Sequence, residues 1–164
     1  MKMAVGLALS LFCVILSAAG AQDSYGELPA GHRSGVDLAL EQMRGHASLQ
    51  HHFRFLRTVD KTEIESGFGV KYLYQQFLLK PTRCPKGTAN ATPQRCPFRN
   101  DRPLMDCAVC YKTVSEQMEP EPRPYVHCIH KPRLTEEMKT ARTEHCKKMV
   151  YNSGAPTLLS VSTG

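Results

Sequence analysis

Tryptophan is absent from the 164-residue sequence, and the aromatic residues are limited to six tyrosines and six phenylalanines. A chain with so few large apolar side chains has little material for a core, so we expect disulfides to contribute to its stability. The 11 glycines and 11 prolines are an ordinary content, which excludes a collagen-like or wholly disordered chain. The length fits one domain with a short appended segment.

Long apolar runs are absent after the N-terminal region. The one such run, MAVGLALSLFCVILSAAGA at residues 3–21, follows Lys2 and ends in the small residues Ala19, Gly20 and Ala21. This pattern predicts a secretory signal peptide over residues 1–21, cleaved before Gln22. A membrane anchor is the alternative, but the run is short for a span. We therefore expect a secreted, extracellular protein with a domain at residues 22–150 and a flexible C-terminal tail at residues 151–164.

A second close pair of cysteines is also absent. Cys107 and Cys110 form a CxxC within DCAVCYKT, a spacing that suits a zinc site, a redox pair or two separate disulfides. A zinc site needs a second close pair, and a redox pair of the thioredoxin kind lies where a loop meets a helix, whereas this stretch has the pattern of a strand. Residues three apart on a strand face opposite sides, so we expect two different partners.

Six cysteines remain once Cys13 is removed with the signal peptide, and an even number in a secreted chain indicates three disulfides. A hairpin about Met118 brings Cys107 opposite Cys128 on the adjacent strand. Cys110 faces the other side, where the last helix can reach it, and the remaining two cysteines close a proline-rich loop. We predict the pairs Cys84–Cys96, Cys107–Cys128 and Cys110–Cys146.

The apolar periodicity predicts two helices and four strands. Apolar residues at helical spacing, with Ser34 as an N-cap, predict a helix from Ser34 to Gly45, after a flexible lead-in at residues 22–33. In the first strand, Phe53, Phe55 and Val59 share one face. The predicted strands are residues 49–59, 70–80, 107–115 and 125–130, with a connection at residues 60–69.

A second helix begins at Thr135, with acidic residues in its first turn and lysines in its last. Its apolar face is thin and consists of Met138, Arg142, Cys146 and Met149. Together these elements predict an α+β fold in which an N-terminal helix packs on a four-stranded antiparallel sheet, followed by a C-terminal helix and a mobile tail.

Several short motifs carry a resemblance that covers residues 35–150. They are GVDLALEQMRGHASLQHHFRF, KPTRC, RCP, CAVC, YVHC and EHCKKMV. With the signal peptide, this pattern resembles the chemerin family (retinoic acid receptor responder proteins) of the cystatin- and cathelicidin-like group, and in particular a fish chemerin-like protein. The most specific element is the CxxC followed by VHC and a last cysteine. The resemblance implies a cystatin-like fold and the same disulfide connectivity.

The resemblance also implies a function. Family members are secreted precursors whose C-terminal tail is trimmed by processing proteases and then activates a G-protein-coupled chemoattractant receptor, and they act in chemotaxis, inflammation and adipocyte differentiation as adipokines. The tail YNSGAPTLLSVSTG lacks the phenylalanines of the family pattern. Its candidate receptor-binding residues are Tyr151, Gly154, Leu158 and Leu159.

Three other functions are weaker on the sequence. A cystatin-type cysteine protease inhibitor needs an apolar hairpin and a Pro-Trp loop, whereas this chain has ESGFGVK and no tryptophan. A cathelicidin-like host-defence protein needs a cationic tail, and no Lys or Arg follows Val150. An enzyme needs a catalytic arrangement, and the histidines show none, so we expect no enzyme activity, cofactor or metal. These histidines are His46, His51, His52, His127 and His130.

The Cys84–Cys96 loop has two further features. The sequon Asn90-Ala91-Thr92 predicts N-glycosylation at Asn90. Basic residues crowd the loop, as a solvated surface or as a site for heparin-like glycans. These residues are Arg83, Lys86, Arg95, Arg99 and Arg102. The net charge of +6 is too small to indicate nucleic acid binding, and we expect a monomer.

Overall fold

A computed structural model describes residues 24–87 and 93–152 of the protein. The helices are α1 (Ala30–Gly45) and α2 (Glu136–Asn152), and the strands are β1 (His51–Glu65), β2 (Val70–Pro85), β3 (Met105–Val114), β4 (Gln117–Met118) and β5 (Tyr125–His130). Short 3-10 turns occur at Tyr25–Glu27, Pro93–Arg95 and Lys131–Arg133. The predicted signal peptide and glycosylation site and most of the predicted tail lie outside the described residues.

The strands form one antiparallel sheet in the order β1-β2-β3, and both β4 and β5 pair with the far edge of β3. The register places Val70 opposite Val114 and Met105 opposite His130. The predicted α+β architecture, with an N-terminal helix on an antiparallel sheet, is therefore confirmed. The two-residue strand β4 is an addition to the four strands predicted from the sequence.

The main core lies between α1 and one face of the sheet. Val36, Ala39 and Met43, spaced three and four residues apart, are buried on the inner side of α1, which is the apolar stripe expected of an amphipathic helix. The sheet contributes alternate residues from its strands, as its two-residue period requires. These buried sheet residues are Phe55, Leu73, Phe77, Leu79, Met105, Cys107, Val109 and Tyr111.

The N-terminal boundary differs from the prediction. α1 begins at Ala30, with Pro29 at the preceding cap position, and the Ser34 hydroxyl donates to the Ala30 carbonyl oxygen at 3.1 Å instead of capping the helix. Leu28 and His32 are buried. The predicted lead-in was wrong from residue 24 onward because burial of these side chains orders a segment that has no apolar periodicity of its own.

The first strand is longer than predicted, because residues 60–65, which we expected to form a connection, pair with β2. Their exposed polar side chains suit an edge strand. Irregularities between Phe55 and Arg57 and between Thr58 and Asp60 shift the register. The shift leaves Val59, expected on the same face as Phe55, 45% exposed.

Close approach of α1 to the sheet depends on a glycine. A Cβ atom at Gly35 would lie 2.6 Å from the hydroxyl oxygen of Tyr111 and 2.7 Å from its Cε1. Tyr111 is itself fully buried, and its hydroxyl donates to the Gly31 carbonyl oxygen at 2.5 Å. Burial raises the pKa of Tyr111, so this hydroxyl stays protonated and keeps its hydrogen bond.

We expect Gly35→Ala to destabilise the fold by about 1–3 kcal/mol, since the added methyl group forces α1 away from Tyr111. Urea unfolding of the oxidised protein measures this loss. Gly45→Ala is the matched control, because a Cβ there meets nothing within 4 Å. This substitution should stabilise the helix by about 0.5–1 kcal/mol, since alanine has the higher helix propensity. Equal unfolding midpoints for the two variants would contradict the steric argument.

Candidate functional site

Two of the three disulfides lie on opposite faces of the sheet, and the third closes the loop that follows β2. They join Cys84 to Cys96, Cys107 to Cys128 and Cys110 to Cys146, the same pairs that we predicted from the sequence. Cys107 and Cys128 are directly opposite each other in the β3–β5 register, with their Cα atoms 4.1 Å apart. Cys107 lies in the α1 core, whereas Cys110 packs with Cys146 and Met149 on the other face.

The second face of the sheet carries α2, which is held by a buried ion pair. Arg142 Nη1 lies 2.6 Å from Asp106 Oδ1, and the two side chains are 1% and 4% exposed. Arg142 Nη2 also donates to the carbonyl oxygens of Asp106 and His127, at 3.0 and 3.2 Å. The amide nitrogen of Gln76 donates to both carboxylate oxygens of Asp106 at 3.0 Å. We call these four residues the Arg142 network.

His127 completes the network as a hydrogen-bond acceptor. Arg142 Nε donates to His127 Nδ1 at 2.8 Å, which requires that nitrogen to be unprotonated. Burial, and then the positive charge of Arg142, lower the pKa of His127. Both effects favour the neutral imidazole that the geometry needs. The network is therefore a bonded set in which Arg142 of α2 satisfies polar groups of β3 and β5, and Gln76 of β2 donates to the same Asp106 carboxylate.

The sequence contained a signal for this network that we did not interpret. Arg142 lies on the predicted apolar face of α2, between Met138 and Cys146, where a charged residue needs a buried partner. Asp106 lies in the apolar stretch immediately before Cys107. Nothing in the local pattern joins two residues so far apart, because their contact depends on where α2 crosses the sheet.

A groove separates α2 from the edge of the sheet, with a volume of about 250 Å³. Ile64, Tyr72 and Tyr74 line it from β1 and β2, and Cys146 and Met149 line it from α2. Burial raises the pKa of Tyr74, so its hydroxyl is neutral. The groove lies beside the last turns of α2, which end at Asn152.

The β1–β2 turn exposes an aromatic residue. Phe68 is completely exposed, and it has a positive φ, as do its neighbours Gly67 and Gly69. The glycines permit this tight turn because they carry no Cβ. We expected this hairpin to lack an apolar tip, whereas the structure places one apolar side chain there.

The predicted basic residues lie together at the opposite end of β1 and β2. Arg83, Arg95 and Arg102 are exposed, whereas Arg99 is bonded to Asp101. Lys86 Nζ donates to the His46 carbonyl oxygen at 2.7 Å.

The predicted tail begins inside α2, because the helix includes residue 151 and ends at Asn152. The helix therefore extends two residues into the predicted tail. Of the other predicted sites, Asn90, Gly154, Leu158 and Leu159 lie outside the described residues.

The histidines do not form a common site. His51 contacts Arg99, and His127 contacts Arg142. Within residues 24–87 and 93–152, no group of three or more histidine, cysteine or acidic residues could hold a metal ion. None of the helices in those ranges is long and apolar enough to cross a membrane.

Comparison with known proteins does not assign the chain, since no family model matches it and no curated protein does. The geometry itself defines a class, a disulfide-bonded α+β protein with a helix on each face of an antiparallel sheet.

Proposed function

We propose that the protein is a secreted, non-enzymatic precursor of a chemerin-like chemoattractant and adipokine. In this proposal C-terminal proteolysis releases the activity at a G-protein-coupled receptor, which regulates chemotaxis, inflammation and adipocyte differentiation. The observation that supports it is the double anchoring of α2, by the Cys110–Cys146 disulfide and the Arg142 network. A helix fixed in this way holds Asn152, the last residue before the proposed ligand segment, at a defined place on the domain.

The disulfides support the extracellular location that this proposal includes. Three disulfides persist in an oxidising compartment and are rare where thiols are kept reduced. The predicted signal peptide leads to that compartment. The disulfides are compatible with secretion, which the proposal requires.

The proposed ligand segment is residues 153–164. Leu158 and Leu159 are its largest apolar residues. Burial of each leucine in a receptor pocket would contribute about 1.5–3 kcal/mol, and interface energy commonly resides in a few such anchors. Proteolysis after these residues would leave them near a new C-terminus.

The experiment is a series of mature proteins that end at successive residues from 160 to 164, applied to cells bearing a chemerin receptor. We expect at least one truncated form to give a calcium or migration response that the untrimmed protein does not give. In the most active form, Leu158→Ala/Leu159→Ala should abolish the response, and the control Thr157→Ala/Ser160→Ala should preserve it. No response from any truncation would overturn the proposal.

A cystatin-type cysteine protease inhibitor is the second candidate, and the exposed Phe68 at the β1–β2 turn favours it. One apolar side chain at a hairpin tip could enter a protease cleft. A papain inhibition assay with the wild type and Phe68→Ser tests this candidate. Tight inhibition that Phe68→Ser removes would place inhibition ahead of signalling, and no inhibition would remove this alternative.

A further inference from the structure

The net charge of the chain is concentrated in one segment. After Lys2 the sequence contains 20 basic and 15 acidic residues, and residues 80–104 hold six of the basic residues but one of the acidic residues, Asp101. The rest of the chain after Lys2 therefore balances at 14 of each sign. We call the described residues of this range, 80–87 and 93–104, the basic segment. A charge so localised creates a positive field on one part of the surface.

The described parts of the basic segment are held rigidly against the sheet. The backbone nitrogen of Arg83 donates to the Pro97 carbonyl oxygen, and that of Arg99 donates to the Pro81 carbonyl oxygen, both at 2.9 Å. The Cys84–Cys96 disulfide closes the loop. Cations displayed on a fixed backbone lose less conformational entropy on binding than cations on a disordered loop.

Three of the cations are free for a partner. Arg83, Arg95 and Arg102 are exposed and form no ion pair in the part of the chain that the structure describes. Arg99, in contrast, donates to both carboxylate oxygens of Asp101 at 2.9 and 2.6 Å. This hydrogen bonding, with a smaller contribution from the charge of Arg102, lowers the pKa of Asp101 to about 2, so Asp101 stays ionised and offsets mainly Arg99.

The surface has a shallow depression of about 320 Å³ beside these cations. His51, Arg83, Arg99 and Asp101 line it, and Arg99 Nη1 lies 3.2 Å from His51 Nε2. A planar guanidinium presents several donors that match the oxygens of a sulfate or carboxylate group. The depression could therefore bind one sulfate or carboxylate group, and the exposed arginines around it could bind further anionic groups of the same polyanion.

The exposed apolar residues lie away from the basic segment, which favours a soluble polyanion over a membrane surface as its partner. The exposed large apolar side chains of the described residues are Val59, Ile64 and Phe68, in the far half of β1 and its turn. Membrane-surface binding combines cations with apolar residues that insert among the lipids, and the basic segment lacks that combination. In an oxidising compartment the common soluble polyanions are sulfated glycans.

We propose that the exposed cations of the basic segment bind a sulfated glycosaminoglycan chain. Arg83, Arg95 and Arg102 provide the principal contacts, and Lys80 and Lys86 extend the surface. This inference does not depend on the proposed signalling function, because the basic segment lies at the end of the sheet remote from the β1–β2 turn, whereas α2 ends beside the groove that Ile64 and Tyr72 line.

Binding of the mature protein to immobilised heparin, measured at several salt concentrations, tests the proposal. We expect Arg83→Gln/Arg95→Gln/Arg102→Gln to weaken binding by on the order of tenfold or more, since each exposed pair contributes a modest amount. Added salt should weaken wild-type binding steeply, because exposed charges are screened. The measurement should use both glycosylated protein and protein freed of N-glycans, because Asn90 lies in the same loop.

The matched control is Arg123→Gln/Lys147→Gln/Lys148→Gln, which removes the same charge from exposed residues outside the basic segment. It should retain wild-type binding within about twofold. Equal loss in the two triple variants would overturn the site, as would the absence of heparin binding by both protein forms. Equal affinity for desulfated heparin, duplex DNA or phosphatidylserine vesicles would overturn the assignment to sulfated glycans.

Discussion

Asp106→Asn should destabilise the protein by about 3–5 kcal/mol, because it leaves the Arg142 guanidinium buried without a counter-ion. The asparagine keeps the shape of the side chain but removes the negative charge that lies 2.6 Å from Arg142 Nη1. Such a loss is a large part of the 5–15 kcal/mol that is typical of a folded domain. Urea unfolding of the oxidised protein, followed by circular dichroism, gives the change in free energy.

Two controls separate the buried charge from a general effect of substitution. Arg142→Met/Asp106→Asn removes both charges, and its loss should be smaller than the sum of the two single losses by about 0.5–3 kcal/mol. Lys139→Gln breaks the exposed pair with Glu136 and should cost at most about 1 kcal/mol. If Asp106→Asn is no more destabilising than Lys139→Gln, the ion pair does not anchor α2.

The helix α2 needs covalent and ionic support because few of its side chains are buried. Its buried residues in the described part are Arg142, Cys146 and Met149, so it places little apolar surface against the sheet. α1, in contrast, buries Val36, Ala39 and Met43 in the main core. The hydrophobic contribution grows with the buried apolar area, and α2 therefore depends on specific bonds more than α1 does.

Local patterns predicted those features of the fold that depend on a few neighbouring residues. The apolar stripe of α1, the alternation in β3 and the hairpin geometry about Met118 were enough for both helices, four strands and the cysteine pairs. Cys107 and Cys110 could be assigned to opposite faces because the strand period is fixed by backbone geometry.

The features that the sequence argument missed depend on tertiary context. Leu28, before α1, and His32, in its first turn, order the start of the domain only because both side chains are buried in the folded protein. The bulges that expose Val59 leave no mark in the alternation of β1. Arg142 and Asp106 are informative once α2 is placed on the sheet, and the placement itself follows from the Cys110–Cys146 pair.

Cys110→Ala/Cys146→Ala should destabilise the protein by about 4 kcal/mol and loosen α2. The bond spans 36 residues, and in the loop-entropy description a loop of that length corresponds to roughly this loss. The Arg142 network remains in this variant, so we expect the domain to fold while α2 opens more often. Trypsin should then cut at Lys147 and Lys148, whose side chains are exposed to solvent but whose backbone is protected by the helix.

Cys84→Ala/Cys96→Ala provides a control that also removes one disulfide. Its bond spans 12 residues, so the loss should be about 3 kcal/mol, and α2 should keep its resistance to trypsin because both of its anchors persist. Mass spectrometry of brief digests identifies the first cut in each variant. The anchoring of α2 is contradicted if both variants release it at the same rate. Release only from Cys110→Ala/Cys146→Ala is the expected result, and it would show that this disulfide is needed to hold α2, and with it Asn152, in place.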